Sequence, residues 1–169
     1  MSNLNIADNV AQFFYGIEVP IEAERNTIMT ARKDHALKLL ENPDEHIGVL
    51  GTASADGRPN IAYISSTRVM DDGSIVVGLG NNQSLANLEE NPHGVYFVIE
   101  GFPVTFKTPG YRIYLEARAI EREGPVLDAT RTFIAEEFDP NAAKMTVASV
   151  TFDVTAIRPM IEMPAPSEE

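Results

Sequence analysis

The apolar positions of the chain fall into two periods. Up to about residue 44 they recur every three to four residues, the spacing of one helix face. Ile6, Val10, Phe13 and Phe14 form a first stripe, interrupted by Gly16 and Pro20. Ile28, Ala31, His35, Leu39 and Leu40 form a second, which predicts a helix from about Ile21 to Leu40. Asn42-Pro43 ends it, because the residue before a proline is pushed out of the helical region. From His46 the period drops to two. In HIGVLGTAS, Ile47, Val49, Gly51 and Ala53 alternate with smaller or polar neighbours. Ala55-Asp56-Gly57 is a hairpin signal, since Asp-Gly supplies the positive φ of a tight turn. PNIAYISSTRVM reads as one long strand, Asp71-Asp72-Gly73 as a second hairpin, and SIVVGLG as a third strand.

A short helix is predicted from about Asn82 to Asn91-Pro92, with Leu85 and Leu88 on its apolar side, followed by the strand GVYFVIE. GFPVTFKTPG, residues 101–110, is rich in Gly and Pro and reads as a loop. In GYRIYLEARAIERE the residues Tyr111, Ile113, Leu115, Ala117 and Ala119 share one face. Pro125 opens a helix to about Phe138, with Leu127, Thr130, Ile134 and Phe138 on one side. A last strand runs from about Met145 to Ile157, and the tail MPAPSEE reads as disordered. Hairpin-joined strands pair antiparallel, and six of them close or nearly close a barrel. The expected fold is therefore mainly β: a six-stranded antiparallel β-barrel with flanking helices. It is expected as one domain over 1–169, with N-terminal helices in 1–44, the barrel in 45–158 and a tail in 159–169.

Composition narrows the possible chemistry. The chain has 169 residues, a net charge of -12 and no cysteine. Disulfides, thiolate catalysis and cysteine-held metals are excluded. An acidic surface repels phosphate backbones, so no nucleic-acid partner is expected. No apolar run is long enough to span a bilayer, so no membrane partner is expected either. MSNLNIADN carries neither a basic start nor an apolar stretch, and a cytoplasmic location is the expectation. Any redox work would fall to an organic cofactor.

Nucleotide fingerprints are missing. GLGNNQS has Gln83 where a G-x-G-x-x-G pattern needs glycine, and it follows a meander rather than a parallel crossover. His35, His46 and His93 have no helical ligand spacing. Two segments stand out. From Gly78 to Asn87, a strand ending in glycines runs through Asn81-Asn82-Gln83-Ser84 into a helix N-terminus. Such an end offers free N–H groups and partial positive charge to a phosphate. Simple capping by Asn82 or Ser84 is the other reading. Ser65-Ser66-Thr67 places three hydroxyls in mid-strand, where at least one faces the barrel. A bound ligand would satisfy it, as would solvent at a sheet edge.

The run from Gly51 to Ile99 resembles the pyridoxamine 5'-phosphate oxidase-like, FMN-binding split-barrel family. The shared pattern is an A-x-x-D-G-x-P hairpin, a long strand, a D-G hairpin, a short strand, a turn, a helix and N-P. GYRIYLEARAIERE resembles the long strand that follows, and the resemblance covers about residues 37 to 122. It implies a split β-barrel homodimer with FMN in a cleft between subunits. Tyr63, Ile64 and Ser65 would meet the isoalloxazine ring and ribityl chain, and Thr67 would lie nearer the phosphate. Gly78 and Leu79 match the neighbouring strand, and Gln83 and Ser84 the phosphate-holding turn. The oxidase carries basic residues at the positions of Thr67, Gln83 and Ser84; this chain does not. That departure implies a weaker hold on the phosphate, unless a residue such as Arg112 of the partner subunit supplies charge. The oxidase's C-terminal substrate-binding segment is also unrecognisable in MTVASVTFDVTAIRPM, so vitamin B6 oxidation is not expected. The expected function is an FMN-binding flavoprotein, a small oxidoreductase or electron carrier with an unidentified small-molecule or redox-protein partner. The alternatives are a haem- or deazaflavin-binding barrel, with His93 or His46 as an axial haem ligand, and a cofactor-free interaction module. Tyr63, Tyr111 and Tyr114 fit either stacking in the cleft or core packing.

Overall fold

The computed structural model describes residues 22–42 and 46–162. The expected first helix and the tail from Met163 lie outside the described residues. The elements are α1 (Glu22–Leu40), β1 (His46–Ala53), β2 (Pro59–Tyr63), β3 (Thr67–Val69), β4 (Ile75–Leu79), α2 (Gln83–Glu90), β5 (His93–Glu100), β6 (Gly110–Glu121), α3 (Pro125–Glu137), α4 (Pro140–Met145) and β7 (Ala148–Pro159). All strands pair antiparallel in one sheet of order β2-β1-β5-β6-β7-β4-β3. The hairpin turns carry positive φ at Gly57 and Gly73, as the Asp-Gly signals require.

The long strand expected from Pro59 to Met70 is broken. It pairs with β1 as far as Tyr63 and with β4 from Thr67 onward. Its two parts thus lie at opposite edges of the sheet, and Ile64-Ser65-Ser66 bridges the gap. This is what makes the curled sheet a split barrel, and it turns six expected strands into seven. The alternation in the sequence continues across the break, so periodicity alone does not reveal it.

The core inside the curl joins Leu50, Tyr96, Val98, Ile113, Leu115, Val77, Val150 and Phe152. α1 contributes Ala36, Leu39 and Leu40 to the same cluster. Strand β1 turns His46, Gly48, Leu50 and Thr52 inward, leaving Ile47 and Val49 on its half-covered face. Bulges in the β6–β7 ladder shift the register between Tyr114 and Leu115 and between Ala117 and Ala119. The second shift replaces the expected Ala119 with Ile120 on the core side. Helix α4 occupies residues expected to be loop or the start of the last strand. Asp139 caps it by accepting from the N–H groups of Asn141 and Ala142, with Pro140 in its first turn.

The β3–β4 hairpin is clamped from outside. Arg118 on β6 bonds Asp72 at 3.1 Å and Asp153 at 3.0 Å. The Ser74 hydroxyl, the Ser74 N–H and Arg118 together hold the Asp72 carboxyl down at about 2 from an ordinary 3.8. The carboxylate form is the one stabilised. Its contribution is therefore complete above pH 3.8 and is lost as pH falls through about 2. A carbon-detected NMR titration is expected to show the Asp72 midpoint near 2 in the wild type, and nearer the ordinary value in Ser74→Ala.

Candidate functional site

The site begins at the strand break. Ser65 and Ser66 belong to neither flanking ladder, so their backbone groups are free of strand partners. The break is held from inside the barrel. Tyr96, fully buried on β5, donates its hydroxyl to the Ile64 carbonyl, and the Ile64 N–H bonds the Gly48 carbonyl at 3.3 Å. Burial pushes the Tyr96 hydroxyl well above the ordinary phenol pKa, so it stays a donor. Tyr96 reaches Ile64 only because position 48 is glycine: a Cβ there would stand 1.9 Å from the Tyr96 oxygen. On the far side of the break, Thr67 turns inward and bonds the Leu40 carbonyl at 3.4 Å.

Outside the break lies a cleft of about 360 Å³, within the range of small-molecule and cofactor pockets. Tyr63, Ile64, Ser65 and Ser66 form one wall, Gly78, Gly80 and Asn82 the floor, and Ile134, Phe138, Ala142, Met145 and Thr146 of α3, α4 and the following turn the other wall. Among the described residues no carboxylate, imidazole, amine or guanidinium lines it. Asn82 also caps α2, accepting from the Leu85 N–H at 3.0 Å, so this helix N-terminus abuts the cleft. Phe133 and Phe138 meet edge to face, and Arg68 lies over the Phe133 ring at 5.1 Å.

The structure brings Tyr63, Ile64, Ser65 and Gly78 to this cleft. Gly78 also lets α3 approach, since a Cβ there would stand 2.6 Å from the end of Ile134. Leu79, Thr67 and Ser84 are buried in the interior. The Ser84 hydroxyl accepts from the Asn60 amide at 3.0 Å. Gln83 lines a separate cleft of about 210 Å³ with Ser54, Arg58, Asn60 and Asn87. The far wall on α3 and α4 escaped sequence reasoning, although Asp139-Pro140 carried the signal of a helix start.

The histidines divide. His35 Nδ1 bonds the Tyr111 hydroxyl at 2.6 Å, and His46 Nδ1 donates to the Asn42 carbonyl at 2.8 Å. The His93 ring has no hydrogen-bond partner among the described residues. It lines a third, larger and mostly apolar cleft of about 630 Å³ with Gly51, Ile61 and Val95. Among the described residues no group of three or more His, Cys, Asp or Glu is placed to hold a metal ion. No described helix is long and apolar enough to cross a membrane.

A curled antiparallel sheet, broken where one strand passes between its edges and opening there onto a cleft, defines a split β-barrel. The chain belongs to the pyridoxamine 5'-phosphate oxidase family, whose profile matches residues 33–158. Similar solved structures include an FMN-binding protein from Syntrophomonas wolfei, at 22% identity and TM-score 0.74, covering 85% of this chain and 95% of that one. The haem storage protein HutZ from Vibrio cholerae matches at 19% identity and TM-score 0.53, covering 83% and 95%. An F420 reductase matches at 20% identity and TM-score 0.55, covering 72% and 94%. No curated protein matches the chain.

Proposed function

We propose that this protein is an FMN-binding flavoprotein, a small oxidoreductase or electron carrier, with the flavin ring in the cleft beside Ile64–Ser66. The observation that carries this reading is the strand break. It presents unpaired backbone donors and acceptors, fixed from behind by Tyr96, along a neutral cleft. A heterocycle edge with alternating donors and acceptors suits such a wall. Tyr63, Ile64 and Ser65 would meet the ring, and Phe138 and Ile134 would pack on its apolar part. FMN would supply the hydride and electron chemistry; the chain would hold the ring, orient it and exclude water. Among the described residues the cleft has no strong acid or base, so their contribution is positioning. The Syntrophomonas FMN-binding protein shares the fold and supports the choice of cofactor.

The site is expected to act in a homodimer. Ile61 and Tyr63 on edge strand β2 are 73% and 64% exposed, and Met145 at the cleft is 72% exposed. A second copy covering this apolar surface would close the mouth of the cleft. A cytoplasmic location accompanies the reading.

The likeness to HutZ raises a second reading, haem binding. One observation favours it: the His93 ring, free of hydrogen-bond partners among the described residues, lies on a mostly apolar cleft of about 630 Å³. The visible spectrum of the purified full-length protein decides, together with chromatography of whatever heating releases. Flavin bands and released FMN are expected. A Soret band would replace FMN with haem, and released F420 would replace it with a deazaflavin. A colourless protein that takes up no added flavin would leave an interaction module.

A further inference from the structure

We infer that this chain recognises flavin by its ring and ribityl chain and gains almost nothing from the phosphate, so that riboflavin binds about as tightly as FMN. The inference rests on the flavin reading above and concerns the same site.

The side chains at the three phosphate positions already have hydrogen-bond partners within the chain, two of them in the interior. Thr67 is 3% exposed and bonds the Leu40 carbonyl. Ser84 is 1% exposed, and its oxygen accepts from Asn60. The Gln83 amide donates to the Asn87 side-chain oxygen at 2.7 Å. Asn87 in turn donates to Thr52 at 3.1 Å, so the cluster is complete without a ligand.

Three arginines near the turn or the cleft have partners of their own. Arg58 shares a cleft with Gln83, but its Nε contacts both Asp56 oxygens, at 3.1 and 3.3 Å. The Ser54 hydroxyl and Arg58 hold Asp56 below its ordinary pKa, so the carboxylate stays charged. A phosphate drawn to Arg58 would meet this carboxylate beside it, and the pair carries no net charge. Arg68 lies over Phe133. Arg112, the candidate for donation across a dimer, bonds the Pro159 carbonyl and Glu162 of its own chain.

What remains for a phosphate is the N-terminus of α2, set against a chain of net charge -12. Asn82 already takes the Leu85 N–H at that end, and among the described residues no cationic side chain adds the bidentate pairing that makes a phosphate contact strong. The ring cleft treats both flavins alike, because riboflavin and FMN share the ring and the ribityl chain.

The test is fluorescence titration of the flavin-free, full-length protein with riboflavin and with FMN at about 0.1 M salt, where surface charges act over about 10 Å. The two dissociation constants are expected to agree within about threefold, less than one charge-assisted hydrogen bond would give. A larger preference for FMN overturns the inference and leaves the flavin reading standing. Failure of both flavins to bind overturns the flavin reading and this inference with it. A second variant locates the phosphate end. Gln83→Lys adds a cation at an exposed position and is expected to raise FMN affinity about tenfold while leaving riboflavin unchanged. An equal gain for both, or none, overturns the placement of the phosphate at this turn.

Discussion

Gly48→Ala is expected to destabilise the protein by about 3 kcal/mol or more, from overpacking plus a lost buried hydrogen bond. The added Cβ would stand 1.9 Å from the Tyr96 oxygen and 2.4 Å from its ring carbon Cζ. The tip of Tyr96 has nowhere to go without leaving the Ile64 carbonyl, because the residue is fully buried among Leu50, Val98 and Ile113. Urea denaturation gives the loss directly. Shortening the side chain removes the clash, so Gly48→Ala combined with Tyr96→Leu is expected to cost less than the two changes added separately. Full additivity would show that the two residues do not share one space.

Ala142→Trp is expected to abolish measurable flavin uptake, or weaken it by well over tenfold, while the fold survives. Ala142 is exposed on α4 and lines the cleft opposite the strand break. An indole there fills the space for the ring without entering the core. Near-unchanged melting with loss of flavin fluorescence quenching is the expected pair of observations. Retention of wild-type affinity would move the flavin out of this cleft.

The two variants probe features of different visibility in the sequence. The meander from His46 to Leu79 is legible because Asp-Gly turns and period-two alternation agree, and each hairpin appears where they place it. The break at Ile64–Ser66 is not, because it comes from a tertiary contact: Tyr96 binding a carbonyl 32 residues away, through space left by Gly48. Three mid-strand hydroxyls were the only trace. Thr67 turned inward to Leu40, while Ser65 and Ser66 line the cleft. The wall on α4 was missed because Ala142, Met145 and Thr146 show no helical stripe over so short an element. Gly78 of β4 reads in the sequence as part of a phosphate turn, and in the fold its missing Cβ makes room for Ile134.

The three-residue bridge between β2 and β3 also sets the circumference of the barrel. That stretch of the perimeter is held by no ladder on either side. Residues added there would lengthen the perimeter without disturbing the register of any strand pair. Residues removed would pull the two sheet edges together and shut the cleft. The gauge of ligand that such a barrel can accept is therefore adjustable at Ser65–Ser66 independently of the rest of the sheet, beyond the Ile64 anchor and at residues that belong to no ladder.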